Sequence, residues 1–136
     1  MDNISNTIKK NNISTKAVYL STDPHIFVGR KPIAIIFDND YVDVKSWRET
    51  FIQILMYCNN NKQHHETLLY LRDKVSGKCR TFLSHSPNGM KRPAKIDEDM
   101  YAETHYGSQT LMHILVQRIL LPVQFDYSKI KIVIKF

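Results

Sequence analysis

Between residues 77 and 96 the chain carries Lys78, Arg80, Lys91, Arg92 and Lys95, one histidine, His85, and no acid, arranged around the turn signal Pro87-Asn88-Gly89. Cations in this pattern suit one kind of chemistry: they neutralise phosphates and release the counterions condensed on a nucleic acid. Read as strands, Cys79 to Leu83 and Met90 to Ile96 form a two-stranded ribbon of the kind that enters a major groove, with Asn88 and Gly89 at its tip. Lys78, Arg80, Asn88, Lys91, Arg92 and Lys95 are therefore the expected nucleic-acid contacts. The same cations also fit a solvated hairpin whose charges are met by Asp97, Glu98 and Asp99 next door. Pro93 has no N–H for a ladder, which puts the second strand of the ribbon at a sheet edge.

Other residue types point to other chemistries. Asp43-Val44-Lys45 matches the D-x-K part of a metal-dependent nuclease, with Asp23 or Asp38 as the second carboxylate on magnesium. Asp38 and Asp40 equally suit a hairpin turn, where their side chains bond locally to backbone. His64-His65-Glu66, and Glu103 with His105 and His113, supply atoms that zinc accepts. Adjacent histidines on a helix point about 100° apart, and no H-E-x-x-H is present. Ser84, His85 and Ser86, or Cys79 with His85, offer a nucleophile and a base, but no G-x-S-x-G elbow frames them and no third group is evident. Gly29, Gly77, Gly89 and Gly107 are too scattered to cradle a phosphate. The expectation is a non-enzymatic protein with no catalytic residue, metal site or cofactor.

A second basic surface arises from Lys129, Lys131 and Lys135, which alternate with Ile130, Ile132, Ile134 and Phe136 at the two-residue period of a half-buried strand. Lysines there also protect an edge strand from pairing with other chains. Tyr101, Tyr106 and Phe82 flank the ribbon and offer rings on which unpaired bases stack.

The elements that must position these groups follow from local signals. Residues 1 to about 16 are polar and bury little, and Ala17 to Leu20 reads as a short edge strand. The folded body begins at Pro32, with Ile33 to Phe37, a turn at Asp38-Asn39-Asp40, and Tyr41 to Val44 as a hairpin. Ser46 and Glu49 form a capping box, and behind them Trp47, Phe51, Ile54, Leu55 and Cys58 share one helical face. Asn59-Asn60-Asn61 ends that helix, and a second covers Gln63 to Lys74, with Leu68, Leu69 and Leu71 toward the core. Tyr101 to Thr104 is extended. Ser108 is the expected N-cap of a helix carrying Leu111, Ile114, Leu115, Ile119 and Met112 or Leu120 inward, and Pro122 stops it. Strands and helices mix without regular alternation, so the fold class is α+β.

Several of these positions together resemble a known kind of domain. Ser46-Trp47 opening a helix after a hairpin, Pro87-Asn88-Gly89-Met90-Lys91-Arg92-Pro93, Tyr101-Ala102-Glu103-Thr104 followed by Ser108, then Asp126 and Ile130-Lys131-Ile132 resemble a small accessory domain of bacterial restriction and defence-associated proteins. The resemblance covers about residues 32–134. It implies a module that accompanies nucleases, ATPases or DNA-binding domains without being the catalyst. These 136 residues are too few to include the large companion domain of the pattern, and His105-Tyr106-Gly107 stands where the pattern has an Asn and an aliphatic residue.

Length and composition bound the rest. At 136 residues and 43% hydrophobic content the chain suits one domain, read as a polar arm over 1–31 and an α+β body over 32–136. A formal charge of +6 favours an anionic partner. Two cysteines without C-x-x-C spacing fit a reducing cytoplasm. No apolar run of about 20 residues spans a bilayer, and the N-terminus has no apolar signal-peptide core. The function expected is nucleic-acid binding, to DNA or RNA, in a prokaryotic or phage defence setting. The alternative is a protein-binding inhibitor or adaptor, such as a mobile-element protein that blocks a host defence complex, and a third reading is the small nuclease built on Asp43.

Overall fold

The computed structural model describes residues 14–74 and 81–136. Its strands are Thr15–Tyr19 (β1), Lys31–Phe37 (β2), Asp40–Asp43 (β3), Leu83–Ser84 (β4), Pro93–Asp97 (β5), Met100–Glu103 (β6) and Lys131–Lys135 (β7). The helices are Trp47–Asn59 (α1), Lys62–Leu71 (α2) and Ser108–His113 (α3), the last running on as a π-helix over Ile114–Leu120. Two antiparallel sheets result, one ordered β1-β7-β2-β3 and the other β4-β6-β5. This is an α+β fold, as its irregular mixture of strand and helix patterns predicts.

The hairpin β2–β3 closes through Asp38 and Asn39, with Asp38 at φ 49, a left-handed conformation that Asp tolerates better than most residues. A bulge between Pro32 and Ala34 resets the register of β2 against β7, so Ile35 and Phe37 enter the core. The strand β7 lies between β1 and β2 and not at an edge. Its lysines therefore have no edge to protect, because both of its backbone sides are already paired. Residues expected in the arm also join the body: β1 pairs along its length with β7, and Leu20 and Phe27 are buried in the core.

Local signals account for α1 closely. The Ser46 hydroxyl accepts from Glu49 N at 3.0 Å, while the Glu49 carboxylate reaches back to Lys45 N at 2.7 Å. Such caps stabilise a helix by about 1 kcal/mol. Phe51, Ile54, Leu55 and Cys58 are buried on the inward face, and Trp47 donates from Nε1 to Arg30 O at 2.9 Å. Asn61 caps α2 by accepting from Gln63 N and His64 N. That helix stops three residues short of Lys74, because Asp73 adopts φ 68 and its N–H leaves for Leu83 O at 2.7 Å.

In α3 the N-cap is Gly107 rather than Ser108. Ser108 is the first helical residue, and its hydroxyl donates sideways to Phe27 O at 3.3 Å. Both Met112 and Leu120 are buried, and so are three residues in a row, Ile114, Leu115 and Val116. A stripe at 3.6-residue spacing does not bury such a run. The π-helix, with Leu121 N bonded to Val116 O at 2.9 Å, turns more of the surface inward.

Among the described residues the expected basic ribbon is not formed. The strands β4 and β5 do not pair with each other, because β6 lies between them. Leu83 faces Ala102 and Ala94 faces Ala102 from the other side, one inward row; Ser84, Tyr101 and Lys95 make the next row, outward. Pro93 opens β5 at the sheet edge, where its missing N–H costs nothing. Among the described residues no helix is long and apolar enough to cross a membrane.

Candidate nucleic-acid interface

In the four-stranded sheet, Val18, Ile35, Phe37, Ile132 and Ile134 turn into the core shared with the helices. Side chains alternate along a strand, so their neighbours form the opposite face, and the pairing registers align those neighbours in rows. One row runs Tyr19, Lys131, Ile36, Tyr41 across β1, β7, β2 and β3. The next runs Ala17, Val133, Ala34, Asp43, and a third runs Thr15, Lys135, Lys31.

The first row carries two tyrosines at its ends, Tyr19 49% exposed and Tyr41 60% exposed. Three strand spacings separate them, about 14 Å. The Lys131 ammonium lies 4.9 Å from the centroid of the Tyr19 ring. At the end of β7, Arg30 sits over the exposed ring of Phe136 at 4.1 Å. The middle row lies low, since Ala17, Val133 and Ala34 are small; Val133 and Ala34 are buried between their neighbours, while Ala17 and Asp43, its one acid, are exposed at the two ends. Rings for stacking, cations beside them and a shallow floor between are what a single-stranded nucleic acid needs from a sheet.

The positions expected from sequence are arranged differently. Gly77, Lys78, Cys79 and Arg80 lie outside the described residues. Pro87-Asn88-Gly89 does form a turn, with Met90 N bonded to Pro87 O at 3.1 Å and Gly89 at φ 82, a conformation that glycine adopts without steric cost. Asn88 is exposed at its tip. Lys91, Arg92 and Lys95 are exposed too. Glu103 holds the backbone of the first two: its fully buried carboxylate accepts from Lys91 N at 2.7 Å, Arg92 N at 2.8 Å and His105 N at 3.1 Å, while Lys95 is placed by the pairing of β5 with β6. Arg48 fastens the same region to α1, donating to Thr104 Oγ1 at 2.9 Å and Pro93 O at 3.2 Å.

Of the aromatics near that loop, Phe82 is buried and Tyr106 packs edge-on to it at 5.9 Å. Tyr101 is half-buried in the outward row between Ser84 and Lys95. These rings are mainly packing groups.

The third group for Ser84 and His85 turns out to be Asp73. Its carboxylate accepts from Ser84 Oγ at 2.7 Å and from His85 N at 3.2 Å, and lies 2.9 Å from His85 Nδ1. Desolvation raises the Asp73 pKa, but the hydrogen bonds from Ser84 and His85 outweigh it and hold the carboxyl below its usual value. The serine donates to the acid and not to the imidazole, so it is not arranged as a base-activated nucleophile. Burial pushes the Cys58 thiol up to about 12, which leaves it unreactive.

Asp38 stands in the β2–β3 turn, and Asp43 is on β3 in the row with Ala34. Among the described residues no three of His, Cys, Asp and Glu gather as a metal-holding group. Comparison of the chain with family models, curated proteins and solved structures finds no match.

The sheet platform escapes a reading of local sequence. Lys131 and Lys135 stand out by their alternation, but Tyr19 and Tyr41 come from strands far away in the chain. Only the registers of three strand pairs bring them into one row.

Proposed function

We propose that this protein is a non-enzymatic nucleic-acid-binding module, and that it binds single strands across the face of its four-stranded sheet that is turned away from the helices. The observation that carries the reading is the row Tyr19, Lys131, Ile36, Tyr41, with exposed rings at both ends and a lysine inside. Bases stack on the tyrosines, and Lys31, Lys131 and Lys135 meet the phosphates. Lys91 and Arg92, whose N–H groups Glu103 pins, form with Lys95 a separate cationic edge. The resemblance to accessory domains of restriction and defence proteins supplies the cellular setting of the proposal.

The test is fluorescence anisotropy of the whole chain with labelled single-stranded DNA, single-stranded RNA and duplex DNA over a salt series. The expected result is preference for a single strand, with a log–log salt slope of about −2 to −3 for three to four phosphate contacts. Binding to duplex alone, or none at low salt, contradicts it. A protein partner on the same face is the second reading, favoured by the exposed tyrosines, which are enriched at protein interfaces. A complex that survives high salt supports that reading, because buried apolar contacts are not screened.

A further inference from the structure

On the helical side of the sheet, three rings form a corner that the nucleic-acid reading does not use. Tyr57, near the end of α1, is backed on one face by Phe37, with centroids 4.2 Å apart and planes 26° from parallel. Its ring stands at 86° to Phe125, 6.0 Å away, and His64 at the start of α2 stands at 82° to the same Phe125, 5.1 Å away. Phe125 is nearly buried and Tyr57 is exposed, so Phe125 makes a floor and the other two rings rise beside it. With Asn60, Asn61 and Asp126 they line an open groove of about 520 Å³. Gln124, at φ 59, makes the turn that brings Phe125 and Asp126 to this place.

The polar groups define the ligand. Asn61 Oδ1 is committed to capping α2. His64 Nε2 lies 3.4 Å from Gln124 O, while its Nδ1 is buried with no hydrogen-bond partner, which assigns the ring hydrogen to Nε2. Asp126 Oδ1 accepts from both Ser128 N at 3.0 Å and Ser128 Oγ at 2.7 Å, leaving Oδ2 for a ligand. Those hydrogen bonds from Ser128 keep the carboxyl below its usual value, so it is charged at neutral pH. A nucleobase stacks best between parallel rings, and its phosphate is repelled by Asp126. Rings set nearly perpendicular instead enclose a rounded head group, and their π faces with a carboxylate attract positive charge.

We propose that this groove binds an organic cation, an alkylated ammonium group, held by the rings of Tyr57, Phe125 and His64 and by the Asp126 carboxylate. The group comes either from a free quaternary ammonium compound or from a methylated lysine side chain on a protein. Lys129 lies close enough to Asp126 to act on it electrostatically, so the ligand competes with that charge and binds weakly.

The test is a titration of the 15N-labelled full chain, followed by NMR, with choline, with a trimethyl-lysine peptide and with 3,3-dimethyl-1-butanol, the neutral isostere of choline. The expected result is shifts at residues 57–64 and 124–126 with the cations, at least ten-fold weaker binding of the neutral isostere, and loss of cation binding in Tyr57→Ala. Tighter binding of the peptide than of choline assigns the group to a protein, and the reverse assigns it to a free compound. Asp126→Asn keeps the acceptor for Ser128 and removes the charge, so it is expected to fold normally and bind several-fold more weakly; it decides the matter if Tyr57→Ala does not fold. No shift with either cation, or equal binding of the neutral isostere, overturns the proposal. Neither outcome bears on the sheet platform, which lies on the opposite face.

Discussion

Lys131 on β7 stands directly across from Tyr19 on β1, with its ammonium 4.9 Å from the ring centroid. The pair places a cation and a stacking surface side by side in one row, and that row reaches Tyr41 two strands further on. A single strand laid along it meets a ring, a charge and a second ring in order, which is the basis of the functional reading.

Tyr19→Ala and Tyr41→Ala are each expected to weaken single-strand binding by about 1–3 kcal/mol, roughly 5-fold to 150-fold. Both side chains are exposed, so stability should change by no more than about 0.5 kcal/mol. Lys131→Ala should instead lower the salt slope by about 0.7, the value for one phosphate contact on a single strand. Anisotropy titrations at several salt concentrations separate the two effects.

Glu103 is buried and satisfies three backbone N–H groups, those of Lys91, Arg92 and His105. Glu103→Ala leaves them without their acceptor and is expected to destabilise the fold by about 3 kcal/mol. Glu103→Gln keeps one carbonyl oxygen but turns an amide donor toward donors, so its cost should be smaller and still measurable. Urea denaturation of the three proteins gives the order.

Ser46→Ala removes the acceptor for Glu49 N and should cost about 1 kcal/mol. For a chain of this length that is a fall in Tm of about 2–5 °C. Differential scanning calorimetry reads it directly, and nucleic-acid binding should be unchanged because α1 lies on the other side of the sheet.

Asp97 ties α1 to β5. Its carboxyl is held below its ordinary value of 3.8 first by the hydrogen bond from Asn59 Nδ2 at 2.9 Å, then by Glu98 N, with His65 and Lys95 adding charge. A carboxyl whose folded pKa is depressed contributes stability at pH values above its unfolded pKa, and that contribution disappears as pH falls through the folded value. Thermal unfolding followed from pH 7 downward should therefore show the Asp97 contribution intact to about pH 5 and lost below its folded pKa. In Asp97→Asn that part of the acid sensitivity should be missing, leaving the sensitivity due to Asp73 and Asp126, whose carboxyls are also held low.

The elements legible in sequence are those determined by neighbours in the chain. The hairpin at Asp38 and Asn39, the Ser46–Glu49 box and the turn at Gly89 all depend on contacts within a few residues, and all are present. The ribbon failed for the complementary reason. A turn at Pro87-Asn88-Gly89 suggests that its flanks pair, but Glu103 takes the N–H groups of Lys91 and Arg92, and β6 supplies the partner edge for both β4 and β5. The place of β7 between β1 and β2 was equally hidden, because alternation reveals a strand's two faces and says nothing about its two edges. The candidate platform depends on that place, so Lys131 was legible as an outward lysine while its company, Tyr19 and Tyr41, was not.

NMR shift mapping of the 15N-labelled chain with a short single-stranded oligonucleotide reads directly where a single strand binds. Shifts are expected to concentrate at Tyr19, Lys31, Ile36, Tyr41, Lys131 and Lys135, and to be lost in the Tyr19→Ala, Tyr41→Ala double variant. Shifts confined to the segment from Asn88 to Lys95, or a saturated protein whose sheet residues do not move, would contradict binding on the sheet.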